Sequence, residues 1–140
     1  MRNSDARPVT IVADTGDMRD FRKIIAWQKA HALAVAMHRL VDPVRFRVRP
    51  DLRSQLLRSM DSVASTISEG SGKRSGKEFA RYLDIALGSA REVDNHLLLA
   101  RDIGCLDESD ATRLLADHDE VKRLLYRTPE RCGEIPIDST

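Results

Sequence analysis

Along much of the chain, apolar residues recur every third or fourth position, with short polar breaks between such stretches. That period belongs to amphipathic helices. The second stretch is the cleanest. Leu52, Leu56, Met60, Val63, Ala64 and Ile67 form one stripe, and Ser54, Arg58, Ser62, Ser65 and Glu69 lie opposite it. The spacing predicts a helix from Asp51 to Glu69, with Asp51 after Pro50 as its N-cap. Gly70 and Gly72 are expected to end it, because glycine takes the left-handed conformation at little cost.

The third stretch opens on Ser75-x-x-Glu78, the spacing of a capping box. Phe79, Leu83, Ala86, Ala90, Val93, Leu97 and Ala100 carry its stripe as far as Gly104. Asp107-x-x-Asp110 starts a fourth helix with Ala111, Leu114, Leu115, His118, Val121 and Leu125 on one side, and Pro129 ends its pattern. The first helix is expected from Phe21 to Val41 with Asp20 as cap, followed by the longest connection, Asp42 to Pro50. Four such helices joined by short connections predict an all-α fold, an antiparallel up-and-down four-helix bundle over residues 20–128. A flexible tail over 1–19, with a short extended piece at Val9 to Ala13, and a C-terminal tail over 129–140 flank it.

The first helix differs from the others. Ala26, Ala30, Leu33, Met37, Leu40 and Val41 fall on one face, and Phe21, Ile24, Ile25, Ala32 and Val35 on the opposite one. One apolar face suffices to join a bundle; a second must pack on something else, since soluble monomers avoid exposed apolar patches. Ile85, Leu99 and Ile103 add a weaker second strip on the third helix. The chain is therefore expected to self-associate, with Phe21, Ile24, Ile25 and Val35 at the subunit contact.

Composition narrows the class. Of 140 residues, 41% are hydrophobic and 4% aromatic. That is enough for a core but poor in the residues that build many-stranded β folds. The N-terminus lacks an apolar leader segment. The longest apolar run, Ala32 to Met37, is far short of the roughly 20 residues that span a bilayer. A cytoplasmic protein without membrane contact is expected, and Cys105 and Cys132, with no CxxC spacing, read as reduced thiols.

Lys and Arg number 23 against 22 for Asp and Glu, a net charge of +1, but the charge is unevenly placed. Arg39, Arg45, Arg47, Arg49, Arg53 and Arg58 face only Asp42 and Asp51 in their stretch. Asp107, Glu108, Asp110, Asp117, Asp119 and Glu120 surround Arg113. Arginine forks suit phosphates and carboxylates alike. The basic stretch therefore reads either as a nucleic-acid backbone contact or as a partner of the acidic fourth helix.

Catalytic chemistry finds no anchor. Gly70 to Ser75 resembles the end of a phosphate-binding loop, but Ile67 stands where its first glycine belongs, Arg74 where Ser or Thr belongs, and a helix precedes it. A weaker anion site survives at the start of the third helix, near Lys73, Arg74 and Lys77. Glu92 and His96 are four apart with no second such pair, and His31 and His38 are seven apart, so no metal shell is nominated. There is no GxSxG and no cysteine–histidine pattern. No catalytic residue, cofactor or small-molecule substrate is expected.

Two runs carry a family resemblance. Phe21-x-x-Ile24-x-x-Trp27-Gln28-Lys29-Ala30 is the first. The second is Ile67-Ser68-Glu69-Gly70, Arg74-Ser75, Glu78-Phe79-x-x-Tyr82-Leu83 and Ala86-Leu87-Gly88-Ser89-Ala90-x-Glu92, closing on Leu97-Leu98-x-Ala100-x-Asp102-x-Gly104. Together they resemble the bacterial four helix bundle proteins first known from 23S rRNA intervening sequences. The resemblance implies an up-and-down bundle assembled into a homo-oligomeric ring, often of five subunits, and an association with ribosomal RNA.

On residues and resemblance together, the chain reads as a non-catalytic, homo-oligomeric scaffold associated with RNA or a ribonucleoprotein. The alternative is a protein–protein adaptor with no nucleic-acid role. Arg45, Arg47, Arg49, Arg53, Lys73, Arg74 and Lys77 are the candidate nucleic-acid or anion contacts. Trp27, Glu69, Gly70, Ser75, Glu78, Phe79, Gly88 and Ser89 read as structural. Trp27 is expected to be a packing anchor, Glu69 to pair with Arg74 or accept amides of the third helix, and Gly88 and Ser89 to permit close helix approach.

Overall fold

The computed structural model describes the backbone of residues 8–12, 20–130 and 134–138, and the side chains of residues 20–127. Four helices account for most of it: α1 (Ile25–Leu40), α2 (Pro50–Ser71), α3 (Gly76–Asp102) and α4 (Glu108–Glu130). Two short strands, β1 (Pro8–Val12) and β2 (Glu134–Asp138), pair antiparallel with Val9 opposite Ile137 and Ile11 opposite Ile135. The extended piece expected at Val9 to Ala13 is thus β1, and its partner lies in the segment expected as a C-terminal tail. Residues 1–7, 13–19, 131–133 and 139–140, the remainder of both expected tails, lie outside the described residues, as does Cys132.

The helix ends show which local signals act. α2 begins at Pro50, where a missing N–H costs nothing because the first helical amides have no partner anyway. Asp51 is not the cap; it sits in the first turn, where Arg49 holds its carboxylate through Nε and Nη2, each at 2.9 Å. That hydrogen-bonded guanidinium keeps the Asp51 carboxyl below its ordinary pKa. Ser75 caps α3 as its spacing predicts, its Oγ accepting from the Glu78 amide at 3.1 Å. Gly104, at φ 84°, follows the end of α3. Cys105 N donates to Ala100 O and Gly104 N to Arg101 O, a Schellman arrangement. α4 runs through Pro129 to Glu130.

The first helix departs most from expectation. Phe21–Lys23 form a single 3-10 turn capped by Asp20, Ile24 is extended, and α1 starts only at Ile25. Ile24 and Ile25 are 1% and 5% exposed, so they do not stand on a free face. Phe21 and Val35 are half-buried. The second apolar face is largely covered within the subunit, where α1 has α2, α4 and β2 as neighbours. Ile24 and Ile25 are therefore not subunit-contact residues.

Every residue of the α2 and α3 stripes is buried, and they share one core with Ala26, Ala30, Leu33 and Met37 of α1 and with Ala111, Leu114, Val121 and Leu125 of α4. Phe46, in the α1–α2 connection, is fully buried in the same core. Each helix packs on the next in the chain, and α4 packs back on α1. α2 and α3 approach closely at Gly70, which is helical rather than left-handed and lies within α2. A Cβ there would stand 2.5 Å from Tyr82 Cβ. Gly70 therefore serves close helix contact and not helix termination.

Candidate nucleic-acid interface

The α1–α2 connection is shaped by Phe46, which plugs the core, and by Asp42, whose carboxylate accepts from the Val44 amide at 2.9 Å. This anchoring aims the arginines. Arg45 Nη1 donates to Asp107 Oδ1 at 2.8 Å and Nη2 to the Gly104 carbonyl at 3.1 Å, tying the connection to the turn that precedes α4. The hydrogen bond to Asp107 raises the Arg45 pKa. Arg49 is held by Asp51, and Arg53 Nε donates to the Val41 carbonyl at the end of α1 at 3.1 Å. Three of the four candidate arginines are thus engaged in folding contacts. Arg47 differs: it is exposed, reaches only the Val44 carbonyl at 3.4 Å, and has no carboxylate partner among the described residues. At Asp107, the basic connection meets the acidic start of α4 inside the subunit.

Lys73, Arg74 and Lys77 lie at the other end of the molecule. The helix between them and the arginine connection, α2, has 22 residues. At about 1.5 Å per residue, it separates the two groups by roughly 33 Å. The seven candidate cations therefore form two sites and not one patch. Lys73 lies 4.9 Å from the centre of the Tyr82 ring, and Arg81 sits 5.3 Å from the same ring. Both make cation–π contacts. Arg74 and Lys77 are exposed and have no ion pair among the described residues.

The motif residues hold structure together except for Glu69, Gly88 and the exposed side chain of Glu78, which joins the Ser75 cap only through its amide. Trp27 packs edge-on against Phe21, ring centres 5.0 Å apart, and stacks on His31 at 4.6 Å. Phe79 is fully buried, and Ser89 Oγ meets Ser62 Oγ at 3.1 Å across α2 and α3. Glu69 is exposed and has no ion pair to Arg74 among the described residues. Gly88 is exposed, with no atom of the described residues within 4 Å of a Cβ placed there. It permits no close approach within the subunit.

Two arrangements escaped the sequence because they join positions distant in the chain. In the first, fully buried His118 hydrogen-bonds Asp94 Oδ1 through Nδ1 at 2.8 Å, and Lys122 pairs with Asp94 Oδ2 and, at 3.1 Å, with Asp119. Burial lowers the His118 pKa despite its carboxylate neighbour. Burial would also lower that of Lys122, but its hydrogen bonds to Asp94 and Asp119 outweigh it and raise the value. His118 Nε2 is buried without a partner, which fits a neutral ring carrying its proton on Nδ1. The apolar stripe marks His118 as a core histidine; only the fold supplies Asp94.

The second is a groove of about 490 Å³ between α3 and α4, lined by Leu87, Arg91, Lys122, Arg123, Tyr126 and Arg127 together with one carboxylate, Asp119. The flank of α4 facing α1 carries Asp117 and Glu120, with Lys29 pairing Glu120 at 3.3 Å. α4 thus carries Asp117 and Glu120 toward α1 and, apart from Asp119 paired with Lys122, cations toward α3, a segregation that a count along the sequence averages away. Among the described residues, no group of three or more His, Cys, Asp or Glu is placed to hold a metal ion. No helix among them is long and apolar enough to cross a membrane.

A comparison with curated proteins gives no match. Among solved structures, the chain is similar to the crystal structure of a protein of unknown function from the S23 ribosomal protein family of Bacteroides thetaiotaomicron. The two share 24% identity with a TM-score of 0.64, covering 72% of this chain and 94% of that one, a likeness of fold. The family model described as 23S rRNA-intervening sequence protein matches residues 22–127. That span takes in α1, α2, α3 and nearly all of α4 together with both signature runs except Phe21, and the chain belongs to the 23S rRNA-intervening sequence protein family.

Proposed function

We propose that the chain is a non-catalytic subunit of a homo-oligomeric, antiparallel up-and-down four-helix bundle that associates with RNA through phosphate contacts. The topology is supported by the order of residue pairs between neighbouring helices. Asp94 meets His118 and Lys122, while Leu87, earlier in α3, lies beside the later Tyr126 and Arg127. Ser62 meets Ser89, while Gly70, later in α2, lies against Phe79 and Tyr82, earlier in α3.

The observation that carries the RNA reading is that Arg47, Arg74 and Lys77 stand exposed without carboxylate partners among the described residues, in a chain of a 23S rRNA-intervening sequence family. Filter binding of 23S rRNA fragments to the full chain at low and at higher salt tests it. Retention at low salt that weakens as salt rises is the signature of phosphate contacts. No retention at low salt overturns the reading. Val44 and Val48, exposed on the α1–α2 connection, favour the competing reading of a protein adaptor. A partner set that survives nuclease treatment would establish that reading instead.

Self-association is supported by α3. Ile85, Leu99 and Ile103 are 46%, 37% and 44% exposed on one face, and Gly88 lies on that side with open space above it. A glycine in mid-helix costs roughly 1 kcal/mol against alanine. Nothing among the described residues offsets that cost, whereas a second copy crossing at Gly88 would. Size-exclusion with light scattering should return a multiple of 15.8 kDa, five copies being the state the family resemblance implies. Leu99→Glu with Ile103→Glu should reduce the mass to one subunit, and a wild-type monomer would overturn this part.

A further inference from the structure

The groove between α3 and α4 gathers three arginines around an exposed aromatic ring. Arg123 and Arg127 are four residues apart on α4, so their side chains leave the helix side by side. Arg91 stands across from them on α3. All three are exposed, and none has an ion pair among the described residues. The other groove cation, Lys122, is neutralised by Asp94 and Asp119, so net positive charge remains on the arginines. Tyr126 is 57% exposed beside them, and Leu87 supplies an apolar surface. Exposing a tyrosine to this extent among three unneutralised guanidinium groups does nothing for the fold of the subunit.

Guanidinium groups bind phosphate through paired N–H donors, and an exposed ring offers a face on which a base stacks whatever its identity. Both features together match an unpaired strand, whose bases are free to stack. A duplex hides them, and an acidic peptide would use the arginines but leave the ring idle.

We propose that the α3–α4 groove binds single-stranded RNA, with Arg91, Arg123 and Arg127 on successive phosphates and Tyr126 stacked on a base. The proposal rests on the RNA reading given above and assigns a site to it that is separate from Arg47, Arg74 and Lys77. Buried His118 and the half-buried Asp94 and Lys122 fix α4 against α3 at the groove, so the site is built on rigid elements.

Fluorescence anisotropy of a labelled oligouridylate 15-mer with the full chain, read over a series of salt concentrations, tests it. Arg123→Ser with Arg127→Ser removes two phosphate contacts, and the slope of log K against log salt should become shallower by about 1.4. Tyr126→Ala should weaken binding about tenfold, while Tyr126→Phe, which keeps the stacking face, should bind as the wild type does. Arg91→Ser offers the same charge test from α3 should the α4 double variant fail to fold by circular dichroism. Wild-type-like binding by these variants, in a protein that still retains rRNA fragments, overturns the groove assignment and leaves the broader reading standing. No RNA binding by the wild type overturns both. A poly-glutamate peptide that binds in an Arg123- and Arg127-dependent way while oligouridylate does not would overturn the proposal in favour of an acidic protein partner.

Discussion

Gly70 and Gly88 lie on successive helices and meet opposite surroundings, so the same substitution should act in opposite directions. At Gly70 an alanine Cβ would stand 2.5 Å from Tyr82 Cβ and 3.0 Å from Phe79 Cδ1. Carbon atoms in contact rest at about 3.5–4.0 Å, so the shortfall is about 1 Å. Tyr82 Cβ is fixed to the α3 backbone and no rotamer change moves it, so α2 and α3 must separate at a point of tight packing. Overpacking costs about 1–3 kcal/mol, and a shortfall of about 1 Å against a backbone-fixed atom falls in the upper part, about 2–3 kcal/mol, against a gain of about 1 kcal/mol from alanine's better helix propensity. The steric effect wins, and Gly70→Ala should destabilise by about 1–2 kcal/mol, lowering Tm by about 3–8 °C in a domain of this size. At Gly88 nothing among the described residues opposes the propensity gain. Gly88→Ala should therefore stabilise the isolated subunit by about 0.5–1 kcal/mol. Urea unfolding of both variants and the wild type, followed by circular dichroism across a range of protein concentrations, measures the difference and separates it from subunit association. Gly88→Ala should gain stability when dilute but lose assembly when concentrated. A Gly70→Ala variant as stable as the wild type would refute the steric reasoning.

Three further outcomes follow from the core, its fully buried imidazole and the connection above it. Phe46 fills a fully buried site. Phe46→Ala should cost about 3–5 kcal/mol by chemical denaturation, and a loss under about 1 kcal/mol would show that Phe46 does not anchor the connection. Burial depresses the His118 pKa. As pH falls below about 6.5, the unfolded chain therefore takes up a proton that the folded one resists. Asp94, Lys122 and Asp119 are the charged groups that face His118; the urea midpoint should fall between about pH 7 and 5, and His118→Leu should flatten that dependence. Arg45→Ala breaks an exposed ion pair and should leave the denaturation midpoint nearly unchanged; a large drop would mean the connection depends on Asp107 and not on Phe46.

The stripes of α2, α3 and α4 could be read from sequence because burial on one helix face imposes a period of about 3.6 residues. Every residue of the α2 and α3 stripes is buried. The Ser75 cap was legible because its hydrogen bond spans three residues. The core role of Phe46 was not, because a single apolar residue in a connection carries no period. The two-sided apolar pattern of α1 was real, but its explanation was internal: Ile24 leaves the helical path and is buried with Ile25 in the subunit. Of the two readings of the basic connection, a partner for the acidic fourth helix holds at Arg45, and the nucleic-acid reading loses three of its four arginines for a related reason. Arg45 is neutralised by Asp107, 62 residues away, and Arg53 is held by a carbonyl at the end of α1, pairings that only the packed fold creates. The groove between α3 and α4 was hidden in the same way, since Arg91 meets Arg123 and Arg127 only across two helices. Sequence locates charge along the chain, and the fold decides which charges remain unneutralised.

Those unneutralised charges are what an RNA backbone would meet, and the salt dependence of RNA affinity tests them most directly. The full-length wild-type chain should bind an unpaired rRNA segment with log K falling linearly as log salt rises, by about 0.7 for each phosphate contacted. A slope of about −2 or steeper is the predicted result. Affinity that does not change with salt would contradict the claim that exposed arginines and lysines of this fold hold an RNA backbone.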